Sequence, residues 1–211
     1  MLYPPAEFSA LPTTITKPTF VEAWFFTTSE KDYNRAAIRN VLAFNPAMTR
    51  YIDQEYGHLF AGVTVVSVHM RLGYNGEPNA KHILERASPR LGYYVEAMIK
   101  TLGDLTGPVR YLVFADDAVR AQSMLASAPA LNSLDVVVMN VNMFSGLYLM
   151  TQCQHHVLAT STFSFWGAYL AVKPGRVIYH STFTNAHGQY VLPPREQLGP
   201  EERWIKLNTM T

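Results

Sequence analysis

Three groups of residues with chemical potential each follow a short apolar stretch. The first is His69-Met70-Arg71-Leu72-Gly73-Tyr74, directly after the β-branched run Val63-Thr64-Val65-Val66-Ser67-Val68. If that run is a strand, His69 and Arg71 project to one side, because side chains alternate with period two. Arginine suits a diphosphate, since its planar fork donates two hydrogen bonds at once; the competing role is an ion pair with a nearby carboxylate. Gly73 lets the chain turn sharply. The second group, Asp116-Asp117, follows Tyr111-Leu112-Val113-Phe114. A carboxylate there can accept hydrogen bonds from the N–H groups of a guanine edge, or it can cap the next helix, the role that Asp117 fits better. The third is Thr160-Ser161-Thr162-Phe163-Ser164, after His156-Val157-Leu158-Ala159. Hydroxyl residues that open a helix cap it, and its unpaired backbone N–H groups and positive dipole end form a natural phosphate site.

The elements that must position these groups alternate. Strands are expected at 63–68, 111–114, 135–138, 156–159 and 177–179, and helices at 93–102, 118–128, 145–153 and 163–172. Short apolar strands alternating with helices predict βαβ units: an α/β fold with a parallel sheet covered on both faces. Ligands of such sheets bind beyond the carboxyl ends of the strands, where all three groups lie. The first 60 residues read differently. Prolines at 4, 5, 12 and 18 predict an extended lead-in over 1–19. A strand is expected at 20–27 and a helix at 30–44 capped by Ser29. A second helix should begin at Pro46 and end near Gly57.

Composition narrows the function. Apolar residues make up 48% and charged residues 16% of the 211, the balance of a folded domain. A net charge of +1 argues against nucleic acid as a partner. One cysteine, Cys153, allows no internal disulfide and reads as a small buried apolar residue. No stretch is long and apolar enough to span a bilayer, and the N-terminus lacks the pattern of a secretory signal, so a cytoplasmic protein is expected. A homo-oligomer is compatible with the sequence. No histidine stands at metal-ligand spacing from cysteines or carboxylates, and the adjacent His155 and His156 should point to opposite faces. Neither GxGxxG nor a P-loop is present.

These segments resemble the α-1,2-fucosyltransferase family. VSVHMRLGY at 66–74 resembles its V-S-x-H-x-R-R-x-D-Y motif, and YLVFADDAVRA at 111–121 its F-S-D-D strand end. GLYLMTQCQHHVLATSTFSFWGAYL at 146–170 is similar, nearly residue by residue, to D-L-x-L-M-S-x-C-x-H-x-I-x-A-N-S-S-F-S-W-W-G-A-W-L. FFTTSEKDYNRAAIRNVLAF at 25–44 resembles a further family segment. The resemblance implies an inverting transferase of the GT-B type, built from two Rossmann-like domains, using GDP-fucose as donor substrate with no metal or other cofactor. Residues 61–211 would be the nucleotide-sugar-binding, C-terminal half. Residues 1–60 would be a remnant of the acceptor-side domain, since the family's N-terminal G-G-L-G-N-Q segment is missing. Carried over by position, His69 and Arg71 sit at the donor, with Arg71 on its diphosphate. Asp116 or Asp117 reads guanine, and Ser161, Thr162 and Phe163 hold phosphate. Two departures stand out: Leu72 replaces the family's second arginine, and its aspartate is replaced by Tyr74 or deleted.

The leading expectation is transfer of L-fucose, or a related 6-deoxyhexose, from GDP to a hydroxyl of a glycan, most simply a galactoside-terminated one. Arg71 would stabilise the departing GDP. Inversion requires a base near the acceptor hydroxyl, for which His69 and Glu77 are the nearby candidates, Glu77 also reading as a solvated loop carboxylate. The alternative is a nucleotide-sugar-binding module that lacks turnover or needs a partner chain. A nucleotide-dependent enzyme of another class on the same sheet is the third reading.

Overall fold

The computed structural model describes residues 39–72, 89–171, 173, 175–180 and 203–207. The expected lead-in over 1–19, the strand at 20–27, most of the helix at 30–44, the Gly73 turn, Tyr74 and Glu77 lie outside these residues.

The described elements, in chain order, are α1 (Pro46–Tyr56), β1 (Thr64–Met70), α2 (Leu91–Glu96), β2 (Val109–Ala115), α3 (Ala118–Ala126), β3 (Asp135–Met139), α4 (Met143–Gln152), β4 (His155–Val157), α5 (Thr162–Leu170), β5 (Val177–His180) and β6 (Trp204–Leu207). The strands form one sheet of order β3-β2-β1-β4-β5-β6, and every pairing is parallel. This is the α/β architecture that the alternation predicts, with one strand more. β6 is a four-residue segment at the sheet edge whose apolar run is broken by Lys206. The helix expected over 93–102 is split, because α2 continues as a π-helical turn over Ala97–Thr101.

Period-two alternation sorts the core onto two faces. Val66, Val68 and Met70 of β1 and Tyr111 and Val113 of β2 pack on one side, against α2 and α3. Val65, Leu112 and Phe114 point the other way, against Ile52 of α1 and Leu149 and Met150 of α4. A third cluster joins α5 to the far side of the sheet through Phe165, Ala168, Leu158 and Trp204. Tyr93 of α2 binds two strands at once, its hydroxyl donating to the carbonyls of Leu158 at 2.8 Å and Ile178 at 3.1 Å. Cys153 is buried and free, and burial pushes its thiol pKa up.

Capping sets the helix starts. Asn45, Asp117, Asn142 and Ser161 each accept a backbone N–H at the start of α1, α3, α4 and α5 respectively. The far end of α5 is held by arginine: Arg203 donates to the carbonyls of Gly175 and Ala168, and Arg39 donates to that of Ala171.

The placement of α5 depends on one close approach. A Cβ at Gly167 would lie 2.9 Å from Cβ and Sδ of Met150 on α4. Only a residue without a side chain lets the two helices meet at that distance. Gly167→Ala should therefore destabilise the domain. Overpacking costs about 1–3 kcal/mol, and alanine's better helix propensity returns about 1 kcal/mol. The net loss expected in urea unfolding is up to about 2 kcal/mol, and a stabilised Gly167→Ala variant would show that α4 and α5 have room to separate.

Candidate functional site

The strand order defines where a ligand can enter. From β1 the chain builds β2 and β3 to one side, then crosses through α4 to place β4 on the other side of β1. The strand order thus reverses between β1 and β4, and ligands of such sheets bind beyond the carboxyl ends of the strands at this switch point. His69 and Arg71 stand at the end of β1, and Thr160, Ser161 and α5 follow β4.

His69 is 5% exposed, on the sheet face that carries α4 and α5. Its ring lies 5.4 Å from that of Phe163, in the first turn of α5. This contact ties the two sides of the switch point together. Burial, and secondarily the charge of Arg71, lower its pKa from 6.5 to about 3. The ring is neutral at physiological pH, and its buried Nδ1 has no partner among the described residues. A base of pKa about 3 offers little driving force for taking a proton near pH 7. A neutral imidazole with an unpaired nitrogen is better suited to a hydrogen bond with a ligand.

Arg71 follows the last residue of β1, and its side chain turns toward β2. Nη1 lies 3.2 Å from Oδ2 of Asp116, the residue after β2, with the side chains 29% and 17% exposed. Oδ1 of Asp116 accepts the Leu72 N–H at 2.8 Å. The sequence left Arg71 between a ligand role and an ion pair; the ion pair is present, and its carboxylate belongs to the candidate site. Asp117 is the N-cap of α3, accepting the Arg120 N–H at 2.9 Å. Leu72 is 7% exposed and packs in the cluster under α2 and α3. Burying a leucine contributes about 1.5–3 kcal/mol, so this side chain anchors the chain directly after Arg71.

Ser161 caps α5, its Oγ accepting the Phe163 N–H at 3.3 Å. No acidic residue stands in the first turn to cancel the helix dipole. Ser164 turns inward, donating to the carbonyls of Ala159 and Ser161. The buried Thr160 Oγ1 has no partner among the described residues. The switch point is thus bordered by a cationic side chain, a dipole end and two buried polar atoms, from His69 and Thr160, that have no partner among the described residues; together they fit an anionic, hydrogen-bonding ligand. Thr162 begins α5, where its own N–H lies at the helix mouth.

Sequence reasoning missed Arg120. Its Nη1 donates to the Leu72 carbonyl at 2.6 Å. Only the docking of α3 beside the end of β1 brings the two together, and no local pattern signals it. His155 and His156 diverge as alternation predicts. His156 shares a 2.7 Å hydrogen bond with Ser67 through Nδ1, whereas His155 Nδ1 accepts the Arg176 N–H at 3.0 Å.

His156 is also held down to a pKa of about 3, by burial first, then by Arg203 and His155. Both His69 and His156 titrate lower in the fold than in the unfolded chain, so the unfolded state binds their protons first as pH falls. Their stabilisation is complete above the unfolded pKa of 6.5 and is lost as pH falls from there toward about 3. Each should add about 1.4 kcal/mol per pH unit to the slope of stability between pH 6 and 4. His69→Gln should remove its share of that slope in urea unfolding; an unchanged slope would mean that His69 is solvated.

Comparison with known proteins follows the same segments. Glycosyl transferase family 11 matches residues 33–205. The O-antigen biosynthesis glycosyltransferase WbnK of Escherichia coli is 29% identical over 116 residues, covering 53% of this chain and 36% of the relative. Galactoside alpha-(1,2)-fucosyltransferase 1 of Homo sapiens is 26% identical over 175 residues, covering 72% of this chain and 46% of the relative. The chain thus spans less than half the length of these relatives. Among solved structures, NodZ alpha-1,6-fucosyltransferase soaked with GDP-fucose aligns with a TM-score of 0.49 at 18% identity, covering 71% of this chain and 50% of that one. POFUT1 in complex with GDP-fucose aligns with a TM-score of 0.45 at 17% identity, covering 62% and 46%. The family match begins ahead of α1, runs into β6 and takes in every site residue described above, so this chain belongs to glycosyl transferase family 11.

Proposed function

We propose that this chain carries the donor site of a fucosyltransferase, which moves L-fucose or a related 6-deoxyhexose from GDP to a glycan hydroxyl with inversion. The observation that carries this reading is the placing of Arg71 and the α5 N-terminus on the two sides of the switch point. Charge that develops on the departing diphosphate would meet a guanidinium and a helix dipole already fixed by the fold. Ser161, Thr162 and Phe163 would present the α5 N–H groups, with His69 and Thr160 donating or accepting at the switch point. Family membership and the names of the relatives support fucose as the sugar and a galactoside as acceptor. In this reading the positive charge comes from Arg71 and the helix, so no metal is needed.

Leu72 favours a second reading, a donor-binding module with impaired turnover. Where the family motif has its second arginine, this chain buries a leucine in the core. Transfer from GDP-fucose to a galactoside separates the two: product with an inverted anomeric centre supports the enzyme, whereas GDP-fucose binding without turnover supports the module.

Binding tests the donor site directly. GDP should bind more tightly than UDP in calorimetry, and equal affinity removes the guanine preference. EDTA should leave GDP affinity unchanged, and loss restored by Mn²⁺ or Mg²⁺ would contradict metal independence. Arg71→Lys keeps the charge and loses the fork. A charge-assisted bond contributes roughly 1.5–3 kcal/mol, so GDP should weaken about tenfold or more. GMP, without the β-phosphate, should change much less, and the ligand-free melting temperature should hold. Unchanged GDP affinity would reduce Arg71 to a structural ion-pair residue.

A further inference from the structure

Both carboxylates of the Asp116-Asp117 pair are engaged within the fold, which bears on what each can do for a ligand. Asp117 is committed to capping α3. Asp116 uses both oxygens on the segment that follows β1, Oδ1 on the Leu72 N–H at 2.8 Å and Oδ2 on Arg71 at 3.2 Å. The same residue is gripped again at its other backbone group, where Arg120 donates to the Leu72 carbonyl at 2.6 Å. Met70 on one side of Arg71 is wholly buried, and Leu72 on the other is nearly so. The Arg71 backbone therefore sits between two anchored residues, and its guanidinium rests on a carboxylate that is itself fixed by a backbone N–H.

We infer that Asp116 is the positioning residue that aims Arg71 at the diphosphate, and that it does not read the base. The inference rests on the donor-site reading above. Arginine loses much rotamer freedom when its head is fixed. Holding the head before the ligand arrives moves that loss from binding into folding, which raises affinity for the group the fork meets. A carboxylate reading guanine would have to turn toward the two N–H donors of the base edge. Asp116 would then release the Leu72 N–H, whose part-buried position makes an unpaired donor costly.

Two variants separate positioning from base reading. Asp116→Asn keeps an oxygen for the Leu72 N–H and loses the ion pair; Asp116→Ala loses both. GDP, GMP and UDP affinities are measured by calorimetry, and the Nε–H signal of Arg71 by ¹⁵N–¹H NMR without nucleotide. In Asp116→Asn, GDP should weaken about tenfold, GMP by less than about threefold, and the GDP-to-UDP ratio should hold, because both diphosphates lose the same contact. The Arg71 Nε–H signal should broaden relative to the unmodified protein. GDP and GMP weakening together, with collapse of the GDP-to-UDP ratio, would make Asp116 the base reader and overturn the inference. Unchanged affinities with an unchanged Arg71 signal would overturn it as well. If the unmodified chain shows no preference for GDP over GMP, the donor-site reading fails by itself. The Nε–H signal then decides positioning alone: broadening in Asp116→Asn supports it, and no change rejects it. Should Asp116→Ala fail to fold, Asp116→Asn carries the test.

Discussion

The structure depends on β1 being a central strand, paired in parallel on both edges and buried on both faces. It pairs along its whole length with β2 and through Val66, Ser67 and Val68 with β4, and Val66, Val68 and Met70 meet one layer of helices while Val65 meets the other. Such a strand cannot shift register without exposing a whole set of side chains. The place where it ends is therefore rigidly defined, and Arg71 is the first residue beyond it. The same strand separates the two directions of chain growth, so the switch point of the sheet lies beside the arginine.

Charge at this end of the sheet is closely balanced. Arg71 and Asp116 form a partly exposed pair, Asp117 caps α3, and Arg120 is spent on a carbonyl. A pair at that exposure adds little to stability, about 0–1 kcal/mol. Its consequence is geometric, because it orients the guanidinium. Leu72 belongs to the same arrangement. Its burial and its two backbone hydrogen bonds hold the segment directly after Arg71. A neutral His69 beside Arg71 adds no further positive charge, so α5 supplies the other positive pole through its dipole.

That dipole is useful only if α5 points at the switch point, and three contacts aim it. Gly167 lets the helix lie close against Met150 of α4, Phe163 packs its first turn on His69, and Arg203 and Arg39 bind carbonyls at its far end. The long motif through 146–170 thus encodes a packing arrangement. Its small and aromatic residues set the angle at which the helix N-terminus is presented.

Much was legible in the residues alone. The alternation of short apolar runs with helical spacing determined the α/β class, since a parallel sheet buried on both faces needs continuous apolar strands. Ser161 and Asp117 were readable as caps because capping is local chemistry, settled within three residues. His155 and His156 had to diverge because strand geometry requires it. What sequence could not decide was anything that depends on elements distant in the chain meeting. The strand order, and with it the switch point, follows from the crossing after β3. Asp116, 45 positions away, pairs with Arg71 because β1 and β2 lie in a register that sets their ends side by side. Arg120 reached Leu72 only through the docking of α3. The burial of His69 under α5, which lowers its pKa to about 3, is likewise a product of the tertiary structure. Residue type sets which interactions are available; register and burial, which exist only in the folded chain, select among them and set the charge each group carries.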